Sequence, residues 1–540
     1  MLRFNACLTG FLCLFVHVAY GKKIRDVGEN QCRKTKVAIL GAGVAGITAA
    51  QALKEDGIAD FVIVDSNSHI GGRLYPADFG KSPGGIPYRV EQGANWVHGT
   101  VTTPGAMNPI YTLAQKYNLT YQLSNLTSLE TYTHDGPSDY WHVLEHFETI
   151  WEKVESDAGA ILVDNLQDRS LRAGLRRAGW DPKGDPIKLL AEWYAVESEL
   201  AHTAEESSQL FSVIAFNSTE YQFSEHNLFI TDQRGFGTFI IGEAKELLSS
   251  YNDTRLYLNT TIDSIDSTDE SKVLIRSSQN PSFCLEAEQV ITTFSLGVLQ
   301  SRDVQFEPDF PEWKWTAIDT MQMGIYTKIF FQFNPNETFW DKSTEFFLYA
   351  SKTRGYYPVW QSLDHPLFHP GSGLIFATVV GDQSRRIERL TDEEVKQEAL
   401  EVLRNMFGTI PEPTAFYFPR WGMTPWAYGS FSNMPPGMTL ENHQNLRANI
   451  GRVWFAGEHV SVNYFGFLQG AYFEGKKIGQ RVAARLNGDE VKGRDLVRYE
   501  TLKSTTEKNE YNEDNGWDYD TTRIPYGMMR GRRLKKRFVI

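Results

Sequence analysis

Lys36–Leu53 reads KVAILGAGVAGITAAQAL, and the fold is decided in this stretch. Val37–Leu40 is a short apolar run suited to a buried parallel strand, and Ile47–Leu53 has helical spacing and composition. Between them Gly41, Gly43 and Gly46 form a GxGxxG turn. The missing side chains let the backbone approach a diphosphate resting on the helix N-terminus. A second apolar run, Phe61–Val64, ends in Asp65 and completes a βαβ unit of about thirty residues. An acid at that point is placed to accept a hydrogen bond from an adenosine ribose hydroxyl. The competing reading is an ordinary tight turn with a surface aspartate. Strand, glycines, helix, strand and acid in register argue against it and predict a Rossmann-like dinucleotide-binding unit, without choosing between NAD and FAD.

Working outward, Gly71-Gly72-Arg73 follows the acid and brings more bare backbone and a positive charge toward the same diphosphate. Far along the chain Val453–His459 reads VWFAGEH, a strand and a loop, followed by a helix over about Leu468–Leu486. Glu458 there can hold a ribitol hydroxyl, while a helix N-terminus favours negative charge at the N1/C2 edge of a reduced flavin. Between these ends, 120–229 reads as mostly helical, with breaks at Pro137, Pro182 and Pro186. Short alternating runs at Arg255–Leu258, Val290–Thr293 and Ile325–Phe333 read as strands.

The chain has 540 residues, 41% hydrophobic and 13% aromatic, enough for two or more domains. Residues 1–21 read as a secretory signal, with Arg3 before an apolar stretch Leu8–Val18 and small residues at Ala19 and Gly21. That stretch is short for a bilayer, so stable membrane insertion is not expected. Of four cysteines, only Cys32 and Cys284 lie beyond the leader, which permits one disulfide without establishing it. Six N-x-[ST] sequons, at Asn118, Asn125, Asn217, Asn252, Asn259 and Asn336, fit secretion, and several are expected to carry glycans. Net charge is −13, although the last twelve residues hold six basic groups and no acid. An acidic body repels nucleic acid and attracts small cations. No cysteine and histidine spacing suggests a metal site.

With these motifs in hand, the chain resembles the flavin-containing amine oxidase family, and within it the secreted polyamine oxidases of plants. The resemblance covers about residues 36–486 and rests on HIGGR (69–73), EQGANWVHG (91–99), TDQRG (231–235), SLGVLQ (295–300), YTKIFFQF (326–333), EFFLYAS (345–351), RGYYPVWQ (354–361), SRRIE (384–388), GSFSNMPPG (429–437) and GRVWFAGEH (451–459). It implies an α/β fold with a Rossmann-like FAD-binding domain from 34–119, 230–319 and 430–488. Interleaved with it is an α+β substrate domain from 120–229 and 320–429, and a polar tail over 489–540 is expected to lack fixed structure. FAD is implied as a noncovalent cofactor, since Ser430 stands where monoamine oxidases carry a tethering cysteine. Cofactor contacts are implied for Gly41, Gly43, Gly46, Asp65, Gly72, Arg73, Trp96, Val97, Ile262 and Glu458.

The resemblance also implies the chemistry. Lys328 corresponds to a lysine that holds a water beside flavin N5, where it assists reoxidation by molecular oxygen. Glu199, in AEWYAVESEL, matches a tunnel carboxylate that binds a distal ammonium. Tyr326, Phe431 and Phe467 line the tunnel, whose rings suit methylenes and attract ammonium groups. His98 stands where the secreted plant enzymes carry glutamate, and a neutral imidazole there can bind a substrate amine. Phe467 replaces a tyrosine. The expected reaction converts a small cationic polyamine to an aminoaldehyde, a smaller amine and hydrogen peroxide. The rivals are an oxidase of other amines and a catalytically silent FAD-binding secreted protein; retention of Lys328 weighs against the second. The expected address is extracellular, with wall or vacuole as destinations.

Overall fold

A computed structural model describes residues 32–503, apart from 102–105, 165 and 251. The expected leader and the chain after 503 lie outside the described residues.

The strand Arg33–Leu40 occupies the centre of an eight-stranded sheet, and Val37–Leu40 are fully buried. It pairs in parallel with Phe61–Val64 on one side and Cys284–Thr292 on the other. Val453–Phe455 joins Cys284–Thr292, so the sheet collects strands from the beginning, middle and end of the chain. Parallel strands covered on both faces read as continuous apolar runs, as VAIL and FVIV do. Arg33 lies opposite Leu285, which brings the preceding residues together, and Cys32 and Cys284 form a disulfide.

The helix Val44–Glu55 leaves the central strand and packs along Leu468–Leu486. Gly475 and Gly479 make this approach possible, since a Cβ on either would fall 2.3 or 2.5 Å from the backbone oxygen of Ala45 or Ala49. Two glycines four apart on one helix face therefore carry the C-terminal helix back against the nucleotide-binding turn.

A seven-stranded sheet forms the other half. Its order is Ala415–Tyr417, Tyr326–Gln332, Leu374–Val380, Val359–Ser362, Phe346–Ala350, Leu129–Thr133 and Gly136–Pro137. Region 120–229 is mostly helical, as expected, with short strands at its beginning and end. It opens with Tyr121–Leu123 and Leu129–Thr133, and Pro137 sits in an edge strand, a position where a missing N–H is tolerated. Pro186 begins a helix instead of breaking one. It occupies the first turn of Pro186–Glu192, and Asp185 caps it by accepting from the Ile187 and Lys188 amides.

The tail differs from expectation as well. Residues 489–503 lie as a strap along the helix Leu440–Arg447, all eight of whose residues are buried. Gln444 and Asn445 donate to the Val497 and Tyr499 carbonyls, and the Tyr499 and Lys503 amides donate to Asn445 and Glu441. Side-chain amides matched to extended backbone explain why so polar a segment holds its place. Among the described residues, no helix is long and apolar enough to cross a membrane and no cluster could hold a metal ion. Asn118, Asn125, Asn252, Asn259 and Asn336 are exposed, whereas Asn217 is 1% exposed on the helix Gln209–Phe223 and has no room for a glycan.

Candidate active site

One cavity of about 920 Å³ runs from the GxGxxG turn to the seven-stranded sheet. Gly41, Gly43, Asp65, Gly72 and Arg73 line its first end, with Ile262 beside them. Gly43 bridges to Gly71, which presses the two glycine segments together. Asp65 is held by the amides of Ala42 and Asn67, at 2.7 and 2.8 Å, and burial raises its carboxyl above the usual range. A carboxylate has about four acceptor positions, so capacity remains for a ribose hydroxyl.

Gly46 does not line the cavity. Its Cβ would fall 2.0 Å from the Gly41 oxygen, so it serves the packing of helix on strand and not contact with the cofactor. Val97 also departs from expectation: alternation along Trp96–His98 turns it into the core of the nucleotide-binding half, while Trp96 and His98 line the cavity.

Arg73 and Glu458 hold each other, Nη1 to Oε1 at 2.9 Å, and the same guanidinium donates to the Ser430 carbonyl. Glu458 also accepts from Ser432 Oγ at 2.5 Å and the Gly466 amide at 2.7 Å. Burial opposes ionisation of Glu458, but Arg73, His459 and Ser432 together hold its carboxyl below the usual range. The pair fixes the FAGEH loop against the glycine segment, and both residues line the cavity. Bare backbone at a helix N-terminus, an acid at the second strand and a fixed Arg73–Glu458 pair fit the diphosphate, ribose and ring of FAD.

Lys328 lies 3% exposed on the strand Tyr326–Gln332. Its Nζ donates to the Glu91 and Gly93 carbonyls at 3.0 and 2.7 Å and to Asn95 Oδ1 at 3.0 Å. An ammonium would commit all three N–H groups here; an amine keeps a lone pair that can accept from water. Desolvation brings its pKa down to about 7, against the attraction of the Glu91 carboxylate. Burial in turn pushes the Glu91 carboxyl up, despite a hydrogen bond donated by the Phe236 amide and the charge of Lys328.

Glu199 reaches the cavity through a local distortion. A single π turn, Trp193–Glu197, separates Pro186–Glu192 from Ser198–Leu200, and such an insertion re-aims the side chains that follow. Trp193, Tyr194, Ser198 and Glu199 all line the cavity. Arg354 anchors the turn from behind, with Glu192, Glu197 and Glu205 at 2.7, 2.6 and 3.2 Å. His98 packs edge-to-face on Phe467, ring centroids 5.1 Å apart, and burial lowers its pKa despite Glu199 and Asn227. Tyr326 and Phe431 meet at 6.0 Å, and Phe431 and Phe467 line the same walls. Ser430 Oγ accepts from the Tyr326 amide at 2.9 Å and donates to its carbonyl at 3.2 Å.

Several cavity residues had no signal of their own in the sequence. Asn95 lies within EQGANWVHG, yet its bond to Lys328 spans 233 residues. Tyr194 sits one turn before Glu199, and Gln361 ends RGYYPVWQ; only strand register shows that the latter shares a face with Lys328.

A family model for flavin containing amine oxidoreductase matches residues 44–483. Polyamine oxidase 1 of Zea mays is 36% identical over 462 residues, covering 82% of this chain and 88% of that protein. Polyamine oxidase 7 of Oryza sativa subsp. japonica is 35% identical, covering 82% and 93%. Among solved structures, putrescine oxidase bound to putrescine superposes with a TM-score of 0.64 at 18% identity, over 85% of this chain and all of that one, a likeness of fold. A match that runs from the nucleotide-binding helix to the returning C-terminal helix spans every segment that builds the cavity, and the chain belongs to the flavin-containing amine oxidoreductase family, with FAD as its cofactor.

Proposed function

We propose that the chain is an FAD-dependent polyamine oxidase. It removes hydride from a carbon beside a polyamine nitrogen and yields an aminoaldehyde, a smaller amine and, from molecular oxygen, hydrogen peroxide. The observation that carries this reading is a single buried cavity in which the Lys328 amine, the Glu199 carboxylate and aromatic walls follow directly on the FAD-binding turn. Relatives named polyamine oxidase at 34–36% identity support it.

Bound FAD supplies a two-electron acceptor that oxygen can regenerate. The protein's part begins with the substrate's charge. Hydride leaves only when the adjacent nitrogen has a lone pair, so the reacting amine must be neutral while the others stay charged. His98, kept neutral by burial, can accept from an amine N–H, and Glu199 can bind an ammonium. Phe431, Phe467 and Tyr326 bracket the methylenes and exclude water. Lys328, as the amine, holds a water that can hydrolyse the imine product and relay a proton during reoxidation. Ser430 offers no thiol, and its hydroxyl is bound to Tyr326, which favours noncovalent FAD.

The reading includes secretion, with glycans on exposed sequons and oxidation of spermine or spermidine. The leader pattern, the Cys32–Cys284 disulfide and five exposed sequons support it. Anaerobic addition of spermine to the yellow holoprotein is expected to bleach it, and mass spectrometry of the products identifies the carbon attacked. A protein that stays yellow with every amine is a silent flavin carrier and ends the reading. A secreted protein whose N-terminus still carries residues 1–21 ends the assignment of a cleaved leader.

A further inference from the structure

The seven-stranded sheet supplies one wall of the cavity, and its register shows what a long substrate meets beyond Lys328. Lys328 stands across from Thr378, which stands across from Val359 on the next strand. In the adjoining row Phe330, Phe376, Gln361 and Phe346 follow one another across four strands. Lys328, Thr378, Val359, Phe376, Gln361 and Phe346 all line the cavity, as residues alternating on one sheet face should. With strands ~4.8 Å apart and ~3.3 Å per residue, Gln361 stands roughly 12 Å from Lys328 along that wall. Extended chains of three or four methylenes separate successive polyamine nitrogens by about 5–6 Å. Release of a smaller amine requires an internal nitrogen to react, so the nitrogen two spacings beyond it, which a tetraamine has and a triamine lacks, comes level with Gln361.

Gln361 has a defined orientation there. It is 3% exposed, and its Nε2 donates to Glu345 Oε1 at 3.2 Å. Glu345, 2% exposed, takes a further bond from Ser124 Oγ and one from the Asn125 amide at 2.8 Å. A carboxylate held by donors must face the NH2 branch of the amide, so the amide oxygen is the branch left for the cavity. Burial raises the Glu345 carboxyl above its usual range, against the lowering by these three donors. Tyr194 lies within reach of both carboxylates: after burial, Glu345 and then Glu199 raise its phenol. The cavity therefore carries two stations that can accept from an amine, the Glu199 carboxyl and the Gln361 amide oxygen.

We propose that Gln361, held by Glu345, is a second amine-recognising station that accepts a hydrogen bond from the distal nitrogen of a tetraamine and thereby selects substrates by length. The proposal rests on the polyamine reading above and adds to it the residue that counts nitrogens. Glu345 is a positioning residue, since it acts through the amide.

The test compares anaerobic flavin reduction of the holoenzyme by putrescine, spermidine and spermine, for wild type and Gln361→Leu. Wild type is expected to prefer the longer amines. Q361L should lose about tenfold in reduction efficiency with spermine, lose far less with spermidine and putrescine, and retain its flavin content. Equal loss for all three amines, or no loss for any, overturns the station while leaving the oxidase intact. If Q361L does not fold, Gln361→Asn decides instead, because it keeps an amide too short to bridge Glu345 and substrate. If wild-type flavin is bleached by none of the amines, the oxidase reading fails and the station with it.

Discussion

The two ends of the cavity are built in different ways. At the FAD end the chain offers backbone: glycines that admit a diphosphate, a helix N-terminus and loops pinned by the Arg73–Glu458 pair. At the amine end it offers side chains: a lysine, a glutamate re-aimed by a π turn, an amide fixed by a buried acid, and aromatic rings. Backbone recognition demands the same few residues in one short stretch. Side-chain recognition draws single residues from strands far apart in sequence, so the amine end can change without the FAD end.

Four substitutions sharpen or break this contrast. The largest effect is expected at the FAD end. Gly46→Ala places a methyl 2.0 Å from the Gly41 oxygen and should abolish holoprotein, read as flavin absorbance per chain. A yellow, soluble G46A would show that the turn tolerates side-chain bulk. Lys328→Met should leave FAD content unchanged while slowing reoxidation by about 10²-fold in stopped flow, the usual scale for a positioned proton-transfer group. Unaltered oxygen kinetics would remove that role. Glu199→Gln keeps the shape but loses the charge, and should raise KM for spermine about tenfold with little change in kcat. An unchanged KM would place the ammonium elsewhere.

The smallest effect is a shift along the pH axis. Burial lowers Lys328 to about 7 while the Glu91 anion raises it, so reoxidation that uses the amine should fall as pH drops through about 7. Glu91→Gln removes the opposing charge and allows Lys328 to fall further, which moves this acid limb to lower pH. Arg89 and Asp232, the other charges acting on Glu91, remain in place and do not reverse the sign. A limb that stays where it was would uncouple the two residues.

The contrast also explains what could be read without the structure. Lys36–Asp65 was legible because a dinucleotide turn constrains strand, glycines, helix and acid within thirty residues. Leu468–Leu486 was legible from its helical spacing. Lys328, Glu199 and His98 came from resemblance to a family; on composition alone each has a commoner explanation. Gln361 and Glu345 could not be found, because their partnership depends on how Phe346–Ala350 and Val359–Ser362 align. The core-facing side chain of Val97 could not be read for a related reason, since which face of a three-residue strand points inward is set by its neighbours. The strap at 489–503 was missed because polar, charged sequence resembles a free tail until a helix with matching amides appears beneath it.

That strap sets where the C-terminus can be cut. Proteolytic trimming after residue 503 would spare every contact between it and Leu440–Arg447, whereas a cut near Gly488 would strip the cover from a helix rich in asparagine, glutamine, histidine and arginine. The carbonyls of Val497 and Tyr499 would leave with the excised peptide, and two side-chain amides would have to find water in their place. Affinity tags and maturation sites alike belong beyond that boundary.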